Sequence, residues 1–590
     1  MNARSPAAPA TAVSLRYGSD AMAEMLRALD LEFIALTPGA SFRGLHDSLV
    51  NHLGNERPRI LLCVHEEHAV ALAHGYARVA GRPMAVALHS NVGLMHATMA
   101  IFNAWCDRIP ILILGGVGPM DAVKRRPWVD WIHTARDQGA LVRGYTKWDD
   151  QPGSVAAAQE SLLRAYRIAM TAPRGPVYVA LDAALQEEAA GAASPMPLER
   201  YPAPLTGDPP DAAVERAARM LSTARAPLVL IGRVSADPDD FLQRVRLAER
   251  LGARVLTDLK TGASFPTRHP LHPFGPGLYV SAEGNALIRD ADVILSLDWI
   301  DLAGTLRQAC GGELPGAAII QCSTDTYCHN GSSMDYQALP PAELTILAEP
   351  DRMVAKLLDV LPATEKTHAS GTPAIDPAAT EDNATPIPIT AMARAVVDAL
   401  APHNPSYLRL PIGWPGEYCR FAHPQDYIGF DGGGGIGSGP GMAVGAALAL
   451  RGGARLPVAV LGDGDFLMGA TALWTAVNHR VPLLVIVSNN QSFFNDELHQ
   501  ERVARTRGRP VENRGVGLTM NDPPIDLAKI AEGQGAVGFG PIETVDGLAR
   551  ALDDAVARVR SGAVCVLDVR VAPEYARAVS SALLRRIATE

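Results

Sequence analysis

Short, largely apolar runs recur along the chain, each followed by a longer segment of helical period, and this rhythm constrains the fold more than any other feature. EFIAL (32–36), RILLCV (59–64), PMAVAL (83–88) and ILIL (111–114) lie in the first third, PLVLI (227–231) and DVILSL (292–297) in the middle, PVAVL (457–461) and PLLVIV (482–487) in the last. Strands buried on both faces read this way in parallel sheets, and the helices between them are the crossovers. The prediction is an α/β chain of three doubly wound parallel-sheet domains. The first and last blocks share a rhythm, as an ancient duplication would leave. In open sheets of this kind ligands bind beyond the carboxyl ends of the strands, so chemistry is sought in the polar and Gly-rich residues just after each run.

Two stretches without apolar periodicity, 186–211 and 362–388, separate the blocks. The expected organisation is a disordered N-terminus at 1–13, a first domain over 14–190, a central domain over 205–361, a linker at 362–388 and a last domain over 389–590. The formal net charge of −10 disfavours nucleic acid and anionic membrane surfaces as partners. Seven cysteines without a CxxC pair argue against a disulfide framework and a cysteine zinc site. Residues 1–13 lack the apolar core of a signal peptide, and no apolar run of about 18 residues occurs, so a cytoplasmic location is expected.

The strongest motif follows PVAVL, where the chain reads Gly462-Asp463-Gly464-Asp465; after a predicted helix and the run PLLVIV comes Ser488-Asn489-Asn490-Gln491-Ser492. A strand ending in Gly-Asp-Gly leaves backbone N–H groups free to meet phosphate oxygens and sets a carboxylate beside them. Asp463 and Asn490, 27 positions apart at neighbouring strand ends, can converge on one hard cation with the oxygen shell that Mg²⁺ requires. Two ordinary turns would account for GDG alone; the second element in this strand context favours a diphosphate–metal site.

This GDG…NN arrangement resembles the signature of thiamine diphosphate (ThDP)-dependent enzymes of the acetolactate synthase and benzoylformate decarboxylase kind. The resemblance implies that Asp463 and the Asn490 side chain bind Mg²⁺, with the main-chain oxygen of Ser492 as third protein ligand, while Gly462, Gly464 and Asp465 border the diphosphate. It also implies a glutamate in the first domain. His65-Glu66-Glu67-His68, followed by Gly75-Tyr76-Ala77-Arg78, is similar to the family's HE…GYAR segment, with Glu66 the matching carboxylate. Glu66 ends RILLCV as the chain turns into an Ala-rich helix, where apolar neighbours would favour the protonated acid that the aminopyrimidine ring needs. A zincin reading fails, because these histidines are three rather than four apart.

Asp431 to Met442 form a glycine-rich segment in which Gly432, Gly434 and Gly437 satisfy GxGxxG. The next acidic residue is Asp463, 31 positions from Gly432, so the ribose-binding carboxylate of a dinucleotide site, expected about 20 on, is missing. By resemblance, Ile436 is the wedge that bends the cofactor and Gly434 offers its carbonyl to the aminopyrimidine. No lysine or arginine occurs in 457–478 or 481–501, so the diphosphate must be held by Mg²⁺ and backbone N–H groups.

Leu88-His89-Ser90, Asn103-Ala104-Trp105 and Phe265 to Pro270 lean toward benzoylformate decarboxylase, with His89 at the place of a catalytic histidine. Ala40 stands where that enzyme has an active serine, with Ser41 adjacent, and its second histidine has no counterpart near Asp298 to Asp301. The glutamine that acetolactate synthase uses after its fourth strand appears as His133 or Thr134. The preceding Lys124, Arg125, Arg126, Trp128 and Trp131 read as a solvated basic loop or as a seat for an anionic or aromatic substrate tail. Phe493, Phe494 and His499 are candidates for the substrate pocket, with core packing the equal alternative.

The resemblance implies a first domain that binds the aminopyrimidine, a central domain and a last domain that binds the diphosphate. It implies an enzyme making or breaking a C–C bond beside a carbonyl: decarboxylation of a 2-oxo acid, carboligation of the acetolactate synthase kind, or both. A non-ligating benzoylformate-type decarboxylase and a 2-hydroxyacyl-CoA lyase are alternative branches, and a catalytically silent cofactor-binding homologue is the alternative of another class. Partners would be a small 2-oxo acid or carbonyl compound and a second copy of the chain, in a homodimer with shared active sites or a homotetramer. FAD in the central domain stays undecided, since Gly232 and Arg233 interrupt the Gly-rich turn after PLVLI.

Overall fold

The computed structural model describes residues 15–191, 196–201, 204, 207–325, 339–363, 384–576, 579, 580 and 583. The expected disordered N-terminus at 1–13 and most of the linker at 362–388 lie outside the described residues.

Among the described residues, sixteen strands form three all-parallel sheets. The first sheet has β1 (Phe33–Leu36), β2 (Arg59–Leu62), β3 (Ala85–Leu88), β4 (Leu112–Val117), β5 (Asp149–Asp150) and β6 (Val177–Asp182), in the order β2-β1-β3-β4-β6-β5. The central sheet has β7 (Pro227–Ile231), β8 (Arg254–Thr257), β9 (Val293–Leu297), β10 (Ala318–Ser323) and β11 (Leu344–Leu347), in the order β11-β10-β9-β7-β8. The last has β12 (Pro405–Arg409), β13 (Leu456–Gly462), β14 (Leu483–Asn489), β15 (Val537–Ile542) and β16 (Val564–Arg570), in the order β12-β13-β14-β16-β15. Without β2, the first sheet repeats the order of the last, which gives the shared rhythm of the two blocks a topological form. β3, β4, β6, β7, β9 and β14 are buried along their whole length, as their apolar composition requires.

Register positions the chemistry. Leu461 pairs with Val487 and Gly462 with Ser488, so Asp463 and the Asn489–Asn490 pair leave adjacent strands side by side. The single helix expected after Asp465 is instead two short ones, Asp463–Gly469 and Ala472–Asn478. They part at Gly469, where an added Cβ would lie 2.3 Å from the Gly437 carbonyl oxygen, so the glycine-rich loop occupies the space a continuous helix would need.

The first and last domains share one core. Ala69, Leu72, Ala73 and Tyr76 of the helix Glu66–Ala80 pack with Met442, Ala443, Ala446 and Ala447 of the helix Gly439–Leu450. The two backbones touch. A Cβ on Gly75 would sit 2.0 Å from the Met442 carbonyl oxygen, and one on Gly445 would sit 1.8 Å from that of Leu72. The central domain is tied to both neighbours. Arg108 reaches Asp298 (2.6 Å), Thr324 (3.2 Å) and Asp325 (2.9 Å), while Thr267 and Ala263 bond the backbone at Cys419, Phe421 and Tyr427. No helix among the described residues is long and apolar enough to cross a membrane.

Gly445→Ala forces these backbones apart and should lower stability by about 1–3 kcal/mol, the usual cost of overpacking. A thermal unfolding midpoint equal to that of the parent would show that the helices do not meet at this distance.

Candidate active site

The metal-type loop is built at the end of β13. Asp463 opens the helix that follows; it is 5% exposed, and its carboxylate accepts from the N–H of Gly464 (2.8 Å) and of Ser492 (3.3 Å). Burial pushes its carboxyl up to about 6, against the opposing pull of those N–H groups. Among the described residues no lysine or arginine pairs with it. Asn490 lies beside it, its Oδ1 accepting from Ser492 N (3.0 Å). Asn489 is committed elsewhere, donating to Asp568 (2.7 Å). A Cβ on Gly462 would meet nothing within 4 Å, so open space lies above the turn. A buried carboxylate without a cationic side chain, an amide oxygen at its side and room above fit a hard divalent cation with a diphosphate.

The glycine-rich segment is held from both sides. Asp465 Oδ1 accepts from Gly437 N (2.7 Å) and Gly439 N (3.1 Å), so this carboxylate braces the loop. Beneath it the buried Arg409 pairs with Asp431, stands 3.5 Å from Asp465, and stacks 3.7 Å over the Phe430 ring. From the first domain, Asn103 Nδ2 donates to Ser438 Oγ (3.0 Å) and Gly435 O (3.4 Å), and a Cβ on Gly433 would lie 2.3 Å from Asn103 Oδ1. Gly434 has φ +66° with open space around it, and Ile436 is half-buried. An exposed Gly434 beside one half-buried apolar side chain suits the aminopyrimidine half of the cofactor. Nothing in the sequence singled out Arg409 or Ser438, because their partners are 22 and 335 positions away.

Glu66 is the first residue of its helix, 7% exposed. The apolar surroundings expected of it are replaced on one side by an imidazole: His96 Nδ1 lies 3.0 Å from its Oε2. Gly93 keeps the space beside it open, since a Cβ there would stand 3.1 Å from Glu66 Cγ. The neighbouring Glu67 accepts from Ser438 Oγ (3.2 Å), joining the glutamate turn to the glycine-rich segment within one chain. The zinc reading of His65 and His68 finds no support. His65 Nδ1 caps the helix by accepting from Glu67 N (3.2 Å), and His68 bonds Thr471 (3.1 Å). Instead His65, Glu66 and His96 bring ligand atoms within 4.8 Å of one another, with His96 unforeseen because it comes from a different helix, Ser90–Cys106.

His89 follows β3 directly and is the N-cap of that same helix. Its Nδ1 is 2.9 Å from Ser41 Oγ, and its ring centroid is 4.6 Å from that of His133. Burial, then the His133 ring, hold His89 below the ordinary histidine value. Ala40 is exposed, with only its carbonyl engaged, by Arg43 (2.9 Å); Ser41 is therefore the residue brought to the histidine. Phe493 stands against the metal-type loop, 2.8 Å from where a Gly464 Cβ would be. Phe494 does not join the pocket; it packs with Leu498, Ala576 and Val579 and meets Tyr575 edge-on at 5.1 Å. Phe494 is core because the first helical turn directs it toward the C-terminal segment rather than the strand ends. His499 is half-buried on the same helix, Phe494–Thr506.

The central sheet reverses between β7 and β9, where a dinucleotide would bind. A Cβ on Gly232 would lie 2.2 Å from the Asp298 carbonyl oxygen, and the Arg108 guanidinium bridges Asp298 and Asp325 beyond β9 and β10. Arg233 stands 3.7 Å from the same Asp298, so both carboxylates and both guanidinium groups at that point are already paired within the protein.

Comparison with known proteins bears on the same three units. The thiamine pyrophosphate enzyme family matches through its N-terminal TPP binding domain over residues 16–141, its central domain over 214–306 and its C-terminal TPP binding domain over 412–569. The chain is 28% identical to benzoylformate decarboxylase from Pseudomonas aeruginosa over 456 residues, 74% of this chain and 79% of that one. It is 23% identical to acetolactate synthase from Bacillus subtilis over 539 residues, 87% of this chain and 86% of that one. The crystal structure of benzoylformate decarboxylase from Polynucleobacter necessarius superposes with a TM-score of 0.79 at 21% identity, covering 95% of this chain and 100% of that one, a likeness of fold. The three domains, in this order and with these strand ends, make the chain a member of the thiamine pyrophosphate enzyme family and a ThDP-dependent enzyme.

Proposed function

We propose that the protein is a Mg²⁺-dependent ThDP enzyme that breaks the C–C bond between the carboxylate and carbonyl of a 2-oxo acid, releasing an aldehyde or passing the acyl unit to a second carbonyl. The observation that carries this is the buried Asp463 carboxylate, without a cationic partner, at the end of β13 beside Asn490. Asp463, Asn490 Oδ1 and the Ser492 main-chain oxygen would hold the metal, and the diphosphate would lie in the open space beside Gly462. Bound ThDP supplies an electron sink for the pair released when a bond beside a carbonyl breaks. Glu66 holds and returns a proton at the aminopyrimidine side, and the Asp465-braced glycine loop orients that ring. His89, neutral near pH 7, donates a hydrogen bond to the substrate or its product.

Release of aldehyde rather than ligation is favoured by His89 with its Ser41 partner, a polar group at the strand end where a second carbonyl would approach. Ligation of the acetolactate synthase kind is the second reading, in keeping with the relatives of that name. The resemblance further supports a homodimer with shared sites, or a tetramer, in the cytoplasm.

A panel of pyruvate, benzoylformate and a 2-hydroxyacyl-CoA, with ThDP and Mg²⁺ and the products identified, decides between the branches; no turnover of any would favour a silent homologue. Glu66→Gln should lower turnover by at least about 100-fold, the usual worth of a placed proton donor, with the fold intact by circular dichroism. Unaltered turnover would remove Glu66 from this role. Asp463→Ala should abolish Mg²⁺-dependent ThDP binding in calorimetry, and parent-like binding would refute the metal site.

A further inference from the structure

Two histidines and a glutamate of the first domain meet at one turn, brought there by two helices. His65, just before the helix Glu66–Ala80, Glu66 at its start and His96 on the helix Ser90–Cys106 each bring one ligand atom to within 4.8 Å of the others. We propose that these three side chains form a second cation site, for a divalent transition metal of the zinc class, and that metal bound there competes with the aminopyrimidine end of the cofactor for Glu66. The competition rests on the role proposed for Glu66 above; the site itself does not.

The donor set decides the metal. Glu66 is buried; its Oε1 lies against Gly93, 3.2 Å from where a Cβ would be, and its Oε2 faces His96 Nδ1 at 3.0 Å. Among the described residues no lysine or arginine pairs with this carboxylate. A tetrahedral ion with bonds of about 2.0–2.1 Å holds its ligand atoms about 3.3 Å apart, so the His96–Glu66 pair already stands near coordinating distance. The His65 ring completes the group, stacked on that of His96 with centroids 5.2 Å apart and planes 17° from parallel. Two imidazoles and one carboxylate suit zinc, copper or nickel, whereas Mg²⁺ demands an octahedral oxygen shell and sheds its water reluctantly. This is not the pairing of His65 with His68, since His68 is turned to Thr471 and His96 supplies the second nitrogen instead.

Coordination rearranges two hydrogen bonds. A neutral imidazole has one lone pair, so metal at His96 Nδ1 takes the place of the Glu66 contact and leaves the ring proton to Nε2. His65 Nδ1 accepts from Glu67 N (3.2 Å). Metal at that nitrogen displaces the Glu67 N–H, and metal at Nε2 forces the ring proton onto Nδ1, so either mode ends the bond that caps the helix. Glu66 is then left with the oxygen against Gly93 and cannot hand a proton to the aminopyrimidine. His96 is exposed, which gives the ion its way in. Two cation sites of opposite hardness result: the oxygen ligands proposed for Mg²⁺ at the end of β13, and a nitrogen-rich set beyond β2.

In the full chain without ThDP, Co²⁺ should give the visible bands of a four-coordinate ion and saturate at a single equivalent per chain; excess Mg²⁺ should leave the bands unchanged and Zn²⁺ should bleach them. His65→Asn, which keeps a side chain able to cap the helix, Glu66→Gln and His96→Ala should each weaken Co²⁺ binding at least about tenfold, the least that losing a partner of a bound metal costs. Asp463→Ala should bind Co²⁺ as the parent does. Parent-like Co²⁺ affinity in either His65→Asn or His96→Ala, or its loss in Asp463→Ala, would overturn the site. In calorimetry with excess Mg²⁺, Zn²⁺ at about ten times its own Kd should weaken ThDP binding about tenfold in the parent and leave it unchanged in His96→Ala. Equal ThDP binding by the parent with and without zinc would overturn the competition. If no 2-oxo acid is turned over, the reaction assigned above falls, whereas the Co²⁺ spectra still decide the site.

Discussion

Two helices that touch backbone to backbone hold this molecule in its working shape. Gly75 against Met442 and Gly445 against Leu72 leave no room for a side chain, so the helices Glu66–Ala80 and Gly439–Leu450 approach closer than ordinary packing permits. Each helix begins at a functional turn. Glu66 opens the first, and the second follows directly on Gly434, Ile436 and Ser438. The close crossing therefore sets the spacing between the glutamate and the glycine-rich loop, and the Glu67–Ser438 hydrogen bond registers one start against the other. A looser, leucine-lined crossing would bury as much apolar surface but would move the two turns apart.

Charge is distributed with the same economy. Under the glycine-rich loop the buried Arg409 faces Asp431 and Asp465, so the carboxylates that shape the loop are compensated by the protein. Asp463, one strand end away, is denied such a partner and bears the desolvation of its burial. That asymmetry separates carboxylates that serve the fold from the one proposed to hold Mg²⁺. The same division appears among the histidines. His65 and His68 satisfy a helix start and a threonine, whereas His133 keeps a buried nitrogen unpaired.

Parallel-sheet architecture was legible because a strand buried on both faces needs a largely apolar run, and β1, β3, β7, β9 and β14 have one. β5 and β15 were not, since Asp149–Asp150 and the Gly-containing Val537–Ile542 lack that signature. Asp463 and Asn490 could be read because strand-end positions one βαβ unit apart are adjacent by construction. His96, Asn103 and Arg409 could not, because they reach the site from faces and strands whose spacing with their partners obeys no period. Phe494 shows the opposite failure: its neighbour Phe493 does face the loop, and only the start of a helix between them separates pocket from core.

The helix Ser90–Cys106 carries His89 at its entrance, His96 and Asn103 along its length, and Arg108 just beyond its end. Seventeen residues of helix make a rod about 25 Å long. One end of that rod is anchored by Arg108 to Asp298 and Asp325 of the central domain, and the other carries His89 with its Ser41 partner. Arg108 and His89 thus sit at opposite ends of one helix, so the packing of the central domain bears on where His89 and His96 lie.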